Sequence, residues 1–311
     1  MQIFRHIDDV SQACLGSVIA IGNFDGVHKG HLMVLEEARA VAAAAEVPLG
    51  VLSFEPHPRR FFQPDAPPFR LTPFRRRAQL LEQAGIDFHL VLTFDAPFSR
   101  LSPDAFVDRH LVEGLRARHA VVGYDFHFGH KRAGSPEVLA ALGREKGFGV
   151  TIVTRAGDET GHVYSSSRVR QLLRDGEMSA AAEILGRPWS IEGRVQRGDR
   201  RGRTLGFPTV NVALGEYQHP AFGIYAVEAL IEGDARSIGG VASIGIRPMW
   251  RTEEPLLEVF LFDFDQDIYD RHVEVRLIAF LRPEMAFDGV DALVRQMNAD
   301  ALQARAILTS R

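Results

Sequence analysis

The hydrophobic period of this chain changes once, near Leu185-Gly186-Arg187-Pro188, and that change restricts the possible folds more than any other feature. Before it, short apolar runs at residues 18–21, 49–54, 88–94, 119–122 and 150–154 alternate with helical stretches. Thr72-Pro73, Ser102-Pro103 and Ser135-Pro136 each join a helix-capping side chain to a proline suited to a first turn. Strand, helix and strand in repetition predict a parallel sheet with right-handed crossovers, helices on both faces, and a ligand at the carboxyl ends of the strands. Beyond the change the period is two. Candidate strands cover 190–196, 210–214, 224–231, 237–243, 256–264 and 272–281, and in the last of them Val273, Val275, Leu277, Ala279 and Leu281 are expected to share one face. Six short strands favour a small closed barrel. A terminal helix should pack on it through Val290, Leu293, Val294, Met297, Ala301 and Ala304. The expected fold is a doubly wound α/β domain over residues 1–186, then a six-stranded antiparallel β-barrel with a C-terminal helix over 187–311.

Composition excludes several classes. With 311 residues, 46% of them hydrophobic and 24% charged, the chain can bury two cores, which rules out disorder, collagen and coiled coil. A net charge of -4, made of -1 in residues 1–186 and -3 in 187–311, argues against a protein held to nucleic acid or anionic lipid by bulk electrostatics. Cys14 is the single cysteine, so no internal disulfide can form and a reducing compartment fits. The start MQIFRHIDDV lacks a signal-peptide core, and the alanine run ending at Glu46 is too short to cross a bilayer. The expected setting is cytoplasmic, with no nucleic-acid or membrane partner.

The first apolar run leads into GNFDGVHKGH, residues 22–31, and then into a helix carrying Leu32, Leu35 and Ala38. Gly22, Asn23, Phe24, Asp25 and Gly30 form a turn through which backbone can approach a phosphate, and the new helix presents unpaired amides to it. His28 and His31, three apart, can lie on one face and donate to oxygens that gain charge during attack at an α-phosphate. Either histidine alone would more simply be a surface residue; the string in this place is what carries the reading. Asp25 is the one further metal-ligand candidate nearby, and no lysine stands in Gly-Lys-Ser/Thr, so a Walker-type loop is excluded. Later strings also follow strands. FEPHP offers Pro56, His57 and Pro58 to one side of a planar ligand, and GYDFHFG sets Asp125 among aromatics. YSSSRVR supplies Ser166, Ser167 and Arg170, hydroxyls and a guanidinium fork suited to outgoing phosphates.

In the second half, GRVQRGDRRGRTLGFPTVNV mixes Gly198 and other glycines with Arg203 and further arginines, which by itself reads as a solvated turn. Thr209 and Asn211 shift the balance, because residues two apart on a strand aim a hydroxyl and an amide at one cation or phosphate. Glu258 sits within an apolar strand beside Phe260 and Phe262, where a carboxylate must be hydrogen-bonded, paired or catalytic. Asp263, Asp265 and Asp267 do not make a calcium loop, since Ile268 occupies the position that requires glycine.

GNFDGVHKGH, FEPHP, GYDFHFG and SSSRVR, in this order, resemble the adenylyltransferase module of the bacterial bifunctional riboflavin kinase/FAD synthetases, members of the HxGH nucleotidyltransferase group, and GFPTVN resembles their flavokinase signature. The resemblance covers nearly the whole chain. It implies a Rossmann-like nucleotidyltransferase domain that adenylylates FMN and releases pyrophosphate, and a barrel domain that phosphorylates riboflavin with ATP. It implies His28 and His31 on the α-phosphate; Ser166, Ser167 and Arg170 on the leaving phosphates; Asp125, Pro56, Pro58 and His57 lining nucleotide and flavin pockets. Thr209 and Asn211 would hold Mg2+ with ATP, and Glu258 would be the base. Riboflavin, FMN and ATP are the implied small-molecule partners, and a maker of FAD implies flavoprotein clients. Departures from the family pattern are Ser167, His127, Met249, Phe260 and Asp270, the last three bearing on riboflavin binding and turn geometry. An acceptor other than FMN, and a sensor without turnover, are the competing readings; intact Glu258, Thr209 and Asn211 count against the sensor.

Overall fold

The structure is a computed structural model that describes residues 1–154, 157, 163–196, 209–246 and 255–310. Its contacts form two compact units, Met1–Pro67 with Phe74–Tyr164, and Pro68–Pro73 with Ser165–Arg311.

The first unit carries β1 (Gln2–Phe4), β2 (Val18–Ile21), α1 (Lys29–Ala45), β3 (Leu49–Glu55), α2 (Pro58–Phe62), α3 (Phe74–Gln83), β4 (Phe88–Thr93), α4 (Pro103–Phe106), β5 (His119–Gly123), α5 (Pro136–Lys146) and β6 (Gly149–Val153). All neighbours in the sheet, ordered β1-β4-β3-β2-β5-β6, are parallel. Five of these strands lie where the apolar runs predict them. The edge strand β1 was not expected, because three partly exposed residues give no periodic signal. Ser102 and Ser135 cap as predicted, accepting from the Ala105 and Val138 amides at 3.1 and 3.3 Å. Glu46 closes α1 in the left-handed region, at φ 53°. One face of the sheet packs Ile19, Leu52 and Leu90 against Phe106 and Leu139, and the other packs Val18, Ala20 and Val51 against Leu35 and Leu81. Strand order reverses at β2, whose neighbours are β3 and β5. The carboxyl ends of these three strands therefore border the crevice where such sheets take their ligands.

The second unit carries α6 (Ser166–Arg174), α7 (Met178–Leu185), β7 (Ser190–Arg194), β8 (Thr209–Ala213), β9 (Gly223–Ile231), β10 (Ile238–Gly245), β11 (Leu256–Leu261), β12 (His272–Pro283) and α8 (Val290–Thr309). The antiparallel order β7-β12-β9-β10-β11-β8 is nearly closed by a bridge between Gln196 and Asn211. Val227, Ala242, Val259 and Val275 fill its interior with no exposed surface.

Two expectations need correction. The single inward face of β12 fails after Leu277, where the register against β9 shifts. Ile278 is the extra residue of a bulge, and Ala279 and Leu281 turn to the outer face, against α8. On α8, Val290 is 59% exposed rather than packed. The helix seats through the expected Ala301 and Ala304 and extends the contact to Ile307 and Leu308; Leu293, Val294 and Met297 are half-buried, and Asp300, also buried, accepts from Arg282. Phe262 falls past the end of β11.

Candidate functional site

The turn after β2 is built by burial. Phe24 and Val27 hold positive φ, 50° and 40°, conformations that are rare for bulky or β-branched residues. Both side chains are sunk into the core beneath α1, 2% and 1% exposed, and this anchoring sustains the strained backbone. Asp25 is buried in the same turn, and the Asn23 Oδ1 is buried with no hydrogen-bond partner. His28 is the N-cap of α1, its Nδ1 accepting from the His31 amide at 3.3 Å, so the neutral ring carries its proton on Nε2. The His28 and His31 rings stack at 3.6 Å between centroids with a 17° interplanar angle. The two imidazoles expected to act together are in contact. Gly30 explains itself here: a β-carbon would stand 3.2 Å from the His28 ring and from the Tyr164 carbonyl oxygen.

At the end of β3, His57 caps α2, its Nδ1 accepting from the Arg59 amide at 3.0 Å, while Pro58 opens that helix and Pro56 is exposed. Beside them lies an aromatic surface that the sequence reading missed. Phe94 meets Phe61, Phe62 and Phe98 at centroid distances of 5.4, 5.8 and 5.4 Å, and Phe62 is 65% exposed. The pairing of β3 with β4 brings Phe61 and Phe62, which follow β3, to Phe94, which follows β4. Asp125 is exposed past β5, and Gly123 leaves room for it, since a β-carbon there would lie 3.2 Å from its Oδ1. His127 Nδ1–H donates to the Asp125 carbonyl at 2.9 Å.

Ser166, Ser167 and Arg170 belong to the second unit. Ser165 caps α6 by accepting from the Arg168 amide at 3.2 Å; Ser166 is half-buried and Ser167 exposed. Arg170 donates through Nε to the Phe69 carbonyl at 2.7 Å and lies over the Phe69 ring.

On the barrel, register assembles what the sequence left apart. Glu258 stands directly opposite Asn211 on β8 and Ser243 on β10, and Phe260 opposite Thr209. Directly paired residues share a face, so Asn211, Glu258 and Ser243 form one row across the outside of the barrel with Thr209 one strand step along. Asn211 is 5% exposed, and its Oδ1 has no hydrogen-bond partner among the described residues. Glu258 is half-buried, not dry as a wholly apolar strand would make it. Ser243 was not foreseen: a lone serine in an apolar run carries no signal until its cross-strand neighbours are known. Phe260 packs edge-on to Phe262 beside α8, and Asp270, where the family pattern has glycine, holds φ 64°. Gly198, Arg203 and Met249 lie outside the described residues.

A strained turn stands at the switch point of a parallel sheet and a carboxylate beside an amide on a barrel, and the comparisons put this chain among transferases. Residues 11–168 match the sequence profile of FAD synthetase and residues 185–308 that of riboflavin kinase. A bifunctional riboflavin kinase/FMN adenylyltransferase of Escherichia coli K12 is 41% identical over 98% of this chain and 97% of its own length. One from Bacillus subtilis is 37% identical over 93% of this chain and 91% of its own. The crystal structure of a Streptococcus pneumoniae protein, described as a macrolide-efflux protein, superposes with a TM-score of 0.86 at 31% identity, covering 97% of this chain and 98% of that one. The chain belongs to the bifunctional riboflavin kinase/FMN adenylyltransferase family.

Proposed function

We propose that the two activities of this chain, phosphorylation of riboflavin by ATP and adenylylation of FMN to FAD, are divided between the sites above, with residues 187–311 as the kinase and 1–186 as the adenylyltransferase. The two profile matches, ending at 168 and starting at 185, support that division.

In the kinase, Glu258 accepts the proton of the riboflavin 5′-hydroxyl as its oxygen bonds to the γ-phosphorus and the bond to ADP breaks. Thr209 and Asn211 would hold a magnesium ion together with the ATP phosphates. The buried, unpartnered Asn211 Oδ1 and the neighbouring hydroxyl are hard oxygen donors of the kind this ion takes. When bound, the ion neutralises phosphate charge. In the adenylyltransferase, the nucleophile is the FMN phosphate, already an anion. His28 and His31 therefore need only donate to the α-phosphate while pyrophosphate leaves, and no strong base is required. Gly22, Asn23, Phe24, Asp25, Gly30 and Asp125 line the nucleotide; Pro56, His57 and Pro58 flank the flavin; Ser166, Ser167 and Arg170 take the outgoing phosphates; Gly198 and Arg203 bind the nucleotide of the kinase. No described helix is long and apolar enough to cross a membrane, and we infer a cytoplasmic enzyme from that and from the lone buried Cys14.

The observation that carries the kinase reading is the register placing Asn211 against Glu258. Riboflavin with Mg-ATP should yield FMN and FAD on flavin chromatography. Glu258→Ala should lower FMN formation by about 10²- to 10⁴-fold, the usual worth of a general base, while FAD still forms from supplied FMN. Parallel loss of both activities would refute two separate sites.

A further inference from the structure

The segment leaving β12 carries a carboxylate that neither site has used. Arg282 binds Asp300 of α8 with both Nε and Nη2, at 3.0 and 2.7 Å, and this fork sets the path of the two residues that follow. Glu284 then lays its carboxylate on Gly245, the last residue of β10. A β-carbon built at Gly245 would overlap Oε1 and lie 2.6 Å from Cδ and 2.8 Å from Oε2, so the glycine is the cradle for that group. Gly245 stands opposite Leu256 as Ser243 stands opposite Glu258. Residues two apart share a face, and the carboxylate therefore lies on the outer face that carries Glu258, about 7 Å, one strand step, along.

Two features distinguish this from an idle surface glutamate. Glu284 is exposed as a residue, but the side of its carboxylate laid on Gly245 is turned from water, and this partial burial raises the carboxyl above its usual range. The same face also carries the unpartnered, 5% exposed Asn211. An exposed carboxylate held in place by the backbone beneath it can exchange its water for hydroxyl donors of a ligand, and a polyol brings several. Phosphates would be repelled, which places the nucleotide elsewhere on the face.

We propose that Glu284 is a substrate-contacting carboxylate of the kinase site, accepting hydrogen bonds from secondary hydroxyls of the polyol chain whose terminal hydroxyl reaches Glu258, and so selecting flavins that bear a hydroxylated side chain. This rests on the reading of Glu258 as the base. A hydrogen bond to a charged acceptor is worth about 1.5–3 kcal/mol, so its loss corresponds to roughly ten- to hundredfold in apparent affinity.

The test is steady-state kinetics of the full chain, with FAD formation from supplied FMN as the folding control. Glu284→Ala should raise KM for riboflavin at least tenfold, more than it lowers kcat, and leave KM for ATP in place. Gly245→Ala should reproduce this effect with the carboxylate still present, because the new methyl displaces it. Preference for riboflavin over an analogue lacking one secondary ribityl hydroxyl should shrink in both variants and be partly restored in Glu284→Gln. An unchanged riboflavin KM, or a rise in the KM for Mg-ATP instead, would overturn the proposal. Undiminished FMN formation by Glu258→Ala would instead overturn the assignment of the base beneath it.

Discussion

Replacing Gly30 by alanine separates the geometry of the histidine pair from the stability of the fold. The added β-carbon would lie 3.2 Å from Cε1 and Nδ1 of His28 and 3.2 Å from the Tyr164 carbonyl oxygen. Carbon contacts settle near 3.5–4.0 Å, so the His28 ring must retreat by roughly 0.5 Å. It has little room, being stacked on His31 at 3.6 Å and tied to the His31 amide by the capping bond. A displacement near 1 Å costs about 10²-fold in rate, and half of that about tenfold, or ~1.4 kcal/mol of barrier. Stability should change little. Weakening the cap costs about 1 kcal/mol, and alanine in place of a helical glycine returns nearly as much. Adenylyl transfer from ATP to FMN, followed by pyrophosphate release, should therefore fall about tenfold, with urea unfolding and FMN formation from riboflavin almost unaltered. Full adenylyl transfer would mean that the position of the His28 ring does not matter; a large loss of stability would mean that the glycine serves folding alone.

The Arg282–Asp300 fork should be a strong point of the barrel, since Asp300 is 3% exposed and also accepts from Gln296 at 2.9 Å. Asp300→Ala should cost about 3 kcal/mol, the lower end for a broken buried pair because the Arg282 side chain is 18% exposed, and should lower the melting temperature of the kinase activity by roughly 10 °C; a shift within error would refute the estimate. His110 lies among Phe98 and Phe106 with neither ring nitrogen hydrogen-bonded, and burial followed by the Arg109 charge lowers its pKa to about 4. Because the folded value is depressed, its contribution to stability is complete above about 6.5 and declines as pH falls toward 4, by about 2 kcal/mol at pH 5. His110→Leu should raise stability at pH 7 by about 1–3 kcal/mol and flatten the decline in urea titrations at pH 7 and 5; an unchanged pH dependence would show that other groups carry it.

Some of this was legible because it depends on neighbours a few residues apart. Serine-proline pairs start helices through local sterics and one capping bond, and the single change of hydrophobic period separates parallel sheet from barrel. Stacking of His28 on His31 follows from residues three apart at a helix mouth. The remainder was decided by tertiary structure, since strand register is settled by the summed burial of a whole sheet. That register is what sets Glu258 between Asn211 and Ser243, forms the bulge at Ile278 that turns Ala279 and Leu281 outward, gathers Phe54, Phe62 and Phe94, and rests Glu284 on Gly245. Each of these juxtapositions joins residues far apart in the chain, and no spacing rule reaches that far.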